Sequence, residues 1–193
     1  MKKHLKLIVL LLSCVIALSL LSGCGETPDA GWKPTGETIT LIDKNPTDYL
    51  VVFAAGDDDA HTAALDFKDL VAEEGLKTAS VVVMTDVASP SDFEILFGAA
   101  DRQVSRDALA LLTEKAATSP DDLHCVFHYA DGKLAIVANG PRAYEMAIDV
   151  FMDTYYSGDK IAFLDTLKEH ATSTNDDYDD YRLENILEAG KEA

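Results

Sequence analysis

Hydrophobic and polar positions along this chain change rhythm several times, and each change predicts an element. Ile39 and Leu41, then Tyr49-Leu-Val-Val-Phe53, read as two strands around a turn at Asn45-Pro46. Ala60, Ala63, Ala64, Phe67, Leu70 and Val71 recur at three and four residues, the spacing of an amphipathic helix. Asp58 or Asp59 is its expected N-cap and Gly75 its stop. Ala79 to Met84 reads as a short buried strand and Glu94 to Gly98 as another. Ser105 is expected to cap a second helix carrying Ala108, Leu109, Leu111 and Leu112.

Leu123 to Tyr129 and Lys133 to Ala138 flank Asp131-Gly132, a favoured hairpin dipeptide. Pro141, in the first helical position after Gly140, opens a third helix with Tyr144, Ala147, Ile148 and Phe151 in one stripe. A weaker fourth helix is expected over Asp159 to His170. The fold class that follows is α+β: a mixed sheet of about five to six strands backed by three helices.

The ends follow other rules. Lys2, Lys3 and Lys6 precede an apolar run from Leu7 to Leu21, and Leu21-Ser22-Gly23-Cys24 follows. This layout resembles the bacterial lipobox, whose cysteine is acylated and becomes the first residue of the mature chain. The resemblance implies a lipoprotein signal peptide over 1–23, lipid on Cys24, and a membrane-held domain on the extracytoplasmic face of a bacterial cell. Two acyl chains supply the double anchor that lasting attachment needs. Residues 24–37, with three glycines and two prolines, read as a flexible tether, and the lone Trp32 falls in it. Residues 38–170 form the single expected domain. Residues 171–193, rich in Asp, read as an acidic disordered tail up to a helical turn near Leu183 to Leu187.

Charge sharpens this picture. The net charge is −18, and loss of the signal leaves 13 basic against 34 acidic residues, a net −21. Such a surface repels nucleic acid and anionic lipid, so no nucleic-acid partner is expected. Cys14 leaves with the signal and Cys24 carries lipid. Cys125 is therefore a lone thiol in an apolar stretch, read as a buried small hydrophobe rather than a nucleophile.

Few residues suggest chemistry. His124 and His128 fall in a strand, where four residues separate their backbones by roughly 13 Å, so one ion cannot take both. They read as half-exposed strand histidines. Asp57-Asp58-Asp59 lacks the alternation and glycine of a calcium loop and reads as helix capping. No metal and no cofactor are expected, and no nucleophile or acid–base pair is placed. Gly98, Asp101 and Arg102 form the corner where a strand yields to a helix. Two readings stay open for it: an acidic-ligand or sugar-acid pocket at a helix start, or an arginine paired with Asp101 or Glu94.

That corner also carries a likeness. Glu94-Ile95-Leu96-Phe97-Gly98 with Arg102 and Ser105 resembles the E-I-L-x-G-x-T-x-R-x-x-S segment of the small domain preceding the catalytic barrel in bacterial glycoside hydrolases. The relatives are the non-catalytic N-terminal domains of α-glucuronidases and β-N-acetylhexosaminidases. Asp48 to Val52, Ala63 to Gly75, Asp131 to Ile136 with Gly140, and Ala143-Tyr144 with Ala147 and Phe151 extend the likeness over about residues 38–156. Ala99 and Ala100 replace the usual Asn and Thr. The resemblance implies a β-N-acetylhexosaminidase-like small domain and a carbohydrate context without the barrel that carries catalysis. Three functions remain: an accessory module in carbohydrate handling, a structural or protein-interaction lipoprotein, and a fragment of a longer glycoside hydrolase.

Overall fold

A computed structural model describes residues 33–76, 84–174 and 178–186. Nine strands and three helices are found among them. The strands are β1 (Thr38–Asp43), β2 (Leu50–Phe53), β3 (Met84–Thr85), β4 (Glu94–Phe97), β5 (Leu123–Ala130), β6 (Lys133–Ala138), β7 (Lys160–Leu164), β8 (Lys168–Ser173) and β9 (Arg182–Asn185). The helices are α1 (Asp58–Glu73), α2 (Gln103–Ala116) and α3 (Pro141–Tyr155). The class is α+β as expected, with a larger sheet. Seven strands run in the order β3-β2-β4-β6-β5-β8-β9, and β1 pairs with β7 in a separate two-stranded sheet.

The main sheet is parallel from β3 to β6 and antiparallel from β6 to β9. Strand alternation sends successive side chains to opposite faces. Val51, Ile95, Phe97, Phe127, Leu134 and Ile136 join one core with α1, α3 and the β1–β7 pair. Val52, Leu96, Val126, Ala135 and Val137 meet Val104, Ala108 and Leu112 of α2 in a second core. The three helices therefore flank the sheet on both faces. Phe151 anchors the larger core, its ring 5.4 Å from that of Phe127 and 6.2 Å from that of Phe67.

Local chemistry departs from expectation at both predicted caps. Asp57, one residue earlier than expected, caps α1 by accepting from the Ala60 N–H at 2.9 Å, while Asp58 and Asp59 lie in the first turn. Arg102 occupies the N-cap position of α2 in an extended conformation without a side-chain cap bond. Ser105 is instead buried inside the helix, and its Oγ has no hydrogen-bond partner among the described residues. The hairpin turn forms as expected, with Asp131 and Gly132 at φ 49° and 76°.

Larger corrections concern the C-terminal third. The helix expected over Asp159 to His170 is two strands. Ile161 and Phe163 of β7 are buried in alternation, and β8 zips onto the free edge of β5 from Leu123↔Ser173 to His128↔Lys168. Tertiary pairing outweighs weak helical spacing here. The acidic tail is in part structured: β8 runs through Ser173, and Arg182–Asn185 pairs with Glu169–Thr172 as β9, where a helical turn was expected. Residues 175–177 and 187–193 lie outside the described residues.

The first strands do not form a hairpin with each other, because β1 goes to β7 and β2 to the main sheet. At the other boundary, the end of the expected tether is pinned. Thr35 N–H and Oγ1 (2.6 and 2.9 Å) and Gly36 N–H (2.8 Å) all donate to buried Asp165. Cys24 and Trp32 lie outside the described residues, as do 77–83, most of the strand expected before Met84.

Candidate functional site

At the Gly98–Arg102 corner, β4 ends against the start of α1. Gly98 has φ +79°, and a Cβ there would lie 2.8 Å from Ala60 Cβ and 2.9 Å from Asp57 Oδ2. The corner thus needs glycine for conformation and for space. Arg102 is 7% exposed and turns back beneath the loop. Its Nε and Nη2 donate to the two carboxylate oxygens of Glu94, at 2.9 and 3.1 Å. Nη1 donates to the carbonyls of Asp86 (3.2 Å) and Asp101 (3.0 Å), and Nη2 also to that of Ala88 (3.1 Å).

A guanidinium has five N–H donors, and all five are engaged inside the fold. Asp101 faces outward and pairs with Arg106 at 2.8 Å. Of the two readings of this corner, the observed pairing is the arginine–Glu94 one.

Polar groups not consumed by the corner gather in other concavities, and the segment Tyr178–Glu184 contributes to two of them. The first is a groove of about 640 Å³ between α1, α3 and the approach to β9. Three tyrosines, Tyr156, Tyr178 and Tyr181, line it together with Glu74, Asp149, Asp153 and Asp179. The phenols of Tyr156 and Tyr178 donate to Glu74 and Asp149. The bond to Glu74 is the main cause that raises the Tyr156 pKa, while partial burial leads for Tyr178, with its bond to Asp149 second. The Arg142 guanidinium lies 5.4 Å from the Tyr178 ring centroid, over its face. Tyr155, by contrast, turns inward against Phe151 (5.0 Å) and Phe163 (5.8 Å) and donates to Glu169.

The second place is a cleft of about 300 Å³ between the end of α2 and β5, β8 and β9. His124 and His170 stack across β5 and β8 with ring centroids 5.2 Å apart. His124 is 1% exposed, not half-exposed as its strand position suggested, and His170 is 5% exposed. His124 Nδ1 and His170 Nε2 are 3.0 Å apart.

The neighbours fix which nitrogens carry protons. His124 Nε2 lies 2.8 Å from the Ser119 carbonyl, which can only accept. Nε2 is therefore the protonated nitrogen of His124, its Nδ1 accepts, and His170 donates from Nε2. Ser119 Oγ also lies 3.2 Å from His124 Nε2, but a nitrogen already carrying its proton cannot serve as base to that hydroxyl. Burial first, and the neighbouring His124 second, pull the His170 pKa down to about 4.

Elsewhere, Cys125 is fully buried and burial pushes its thiol pKa up, an environment for an inert thiol. Among the described residues no three His, Cys, Asp or Glu side chains are grouped to hold a metal ion, and no helix is long and apolar enough to cross a membrane.

Sequence reasoning missed His170, Ser119, Glu184, Tyr178 and Tyr181. The usable signal was the pair of tyrosines within the acidic tail, since aromatic residues are depleted in disordered segments. No protein-family model matches this chain, and no curated protein is significantly similar to it.

Proposed function

We propose that this chain is a lipid-anchored extracytoplasmic lipoprotein whose folded domain is a non-catalytic accessory module in carbohydrate handling, with its ligand in the tyrosine groove. The observation that supports this reading is the convergence of Tyr156, Tyr178 and Tyr181 with four carboxylates in one concavity. Ring faces cover the apolar side of a sugar, and fixed polar groups orient its hydroxyls. Carboxylates accept from hydroxyls and repel a uronate, so the favoured ligands are neutral or amino sugars rather than sugar acids. The engagement of every Arg102 donor removes the cation that an acidic sugar would seek at the corner.

Full-length protein in detergent, titrated with N-acetylhexosamine and uronic-acid oligosaccharides, tests the groove. Binding of the neutral oligosaccharide, weakened in Tyr181→Ala, supports the reading, and a flat response to both favours the protein-interaction alternative. Palmitate labelling of the expressed chain tests the anchor: incorporation that disappears in Cys24→Ala supports it.

A further inference from the structure

We propose that the histidine cleft between α2 and β8–β9 is a second binding site, for a neutral hydroxyl-bearing molecule of about monosaccharide size. The proposal starts from one atom. His170 donates from Nε2 to His124, so its Nδ1 carries a lone pair and can only accept. His170 lines the cleft, and Glu184 Oε2 lies 4.0 Å from this Nδ1. Two acceptors face each other there without a proton between them. Thr172 Oγ1, the buried hydroxyl of a residue lining the same cleft, has no hydrogen-bond partner among the described residues. Buried polar groups are normally satisfied, so an unpartnered hydroxyl such as that of Thr172, in a residue lining a cavity, points to a ligand.

The surroundings select the ligand's chemistry. Lys115 and Arg182 alternate with Asp122, Asp180 and Glu184 around the cleft. A fully charged ligand of either sign would meet like charges, and Lys115 already donates to Glu184 at 2.9 Å. A hydroxyl group avoids this conflict, because it is donor and acceptor at once. It can give its proton to His170 Nδ1 and accept from Lys115 Nζ, while a neighbouring hydroxyl donates to Glu184. The cleft, at about 300 Å³, lies at the small end of ligand pockets (about 300–1,000 Å³) and lacks the aromatic rings of the groove. This site therefore stands or falls independently of the groove.

The test is a titration of ¹⁵N-labelled full-length protein in detergent with glucose, and separately with myo-inositol, following the imidazole nitrogens. Expected is a shift of His170 Nδ1 on addition of at least one probe, with the Nε2 proton retained. His170→Phe should weaken binding about tenfold, the effect of losing one buried hydrogen-bond partner. Glu184→Gln and Lys115→Met change partly exposed side chains, so they test the site even if His170→Phe does not fold. Tyr156→Ala, which alters the groove alone, should leave the His170 shift in place. No shift at His170 with either probe, or unchanged affinity in both Glu184→Gln and Lys115→Met, overturns the proposal. A response confined to the groove tyrosines overturns it while leaving the glycan-binding module intact.

Discussion

Arg102 and Glu94 form a buried two-pronged pair, with Nε and Nη2 at 2.9 and 3.1 Å from the two carboxylate oxygens. Glu94 is 1% exposed and also accepts from the Ser91 N–H at 3.1 Å, so one carboxylate ties β4, the loop before it and the start of α2 together. Removing one partner strands the other charge in the interior. Arg102→Met and Glu94→Gln should each destabilise the domain by about 3–5 kcal/mol. The double replacement Glu94→Leu with Arg102→Met should recover a large part of that loss, since no unpaired charge remains. Urea unfolding of the three variants checks this, and single variants as stable as the parent would contradict it.

Gly98 makes a sharper steric prediction. Alanine there meets both a positive φ and a Cβ approach of 2.8 Å, whereas Gly56 shares the positive φ with nothing among the described residues within 4 Å. Gly98→Ala should cost on the order of 3 kcal/mol and Gly56→Ala about 1 kcal/mol. Equal melting temperatures for the two variants would show that α1 does not press on the corner.

His170 predicts a pH dependence whose sign is fixed. Its folded pKa of about 4 lies below the ordinary 6.5. Between those values the unfolded chain binds the proton more readily than the folded one. The stability this histidine contributes is present above pH 6.5 and is lost as pH falls through 4. Asp165, held below the usual carboxylate range mainly by the Thr35 backbone N–H, loses its contribution only at lower pH, below its ordinary value of 3.8. Urea midpoints between pH 7 and 4.5 should therefore fall in the parent and fall less steeply in His170→Asn, where His128, also held below 6.5 chiefly by burial, still contributes. Parallel slopes for both would contradict the assignment.

The C-terminal segment predicts the effect of truncation. Tyr178, Tyr181 and Leu183 pack against the larger core, and Lys115 reaches Glu184 at 2.9 Å. A chain ending at Thr174 should lose β9 and both cavities, so its thermal midpoint should drop and neither sugar probe should bind. A truncated chain that melts with the parent would mean that the segment is not integral to the domain.

These elements differed in how much the sequence revealed. The β5–β6 hairpin was legible because Asp131-Gly132 dictates its turn locally, and α3 because Pro141 and an apolar stripe mark it. β7 and β8 were not. Their identity comes from distant partners, β1 and the edge of β5, and no local signal in Lys160 to Ser173 names them. The same holds for both cavities. His124 meets His170 across 46 positions, so the pair exists only once β8 is placed. The Arg102–Glu94 pair lies eight residues apart within one strand–loop–helix unit, and it was already one of two readings open from the sequence.

The measurement that bears most directly on the proposed glycan-binding role is calorimetric titration of the full-length protein with a neutral N-acetylhexosamine oligosaccharide, beside the matching uronic-acid oligosaccharide. A tyrosine groove predicts heat from the neutral ligand alone, lost in Tyr181→Ala and retained in Asp101→Ala. Heat from the acidic ligand alone, or binding of the neutral one that is unchanged in Tyr181→Ala, would contradict it.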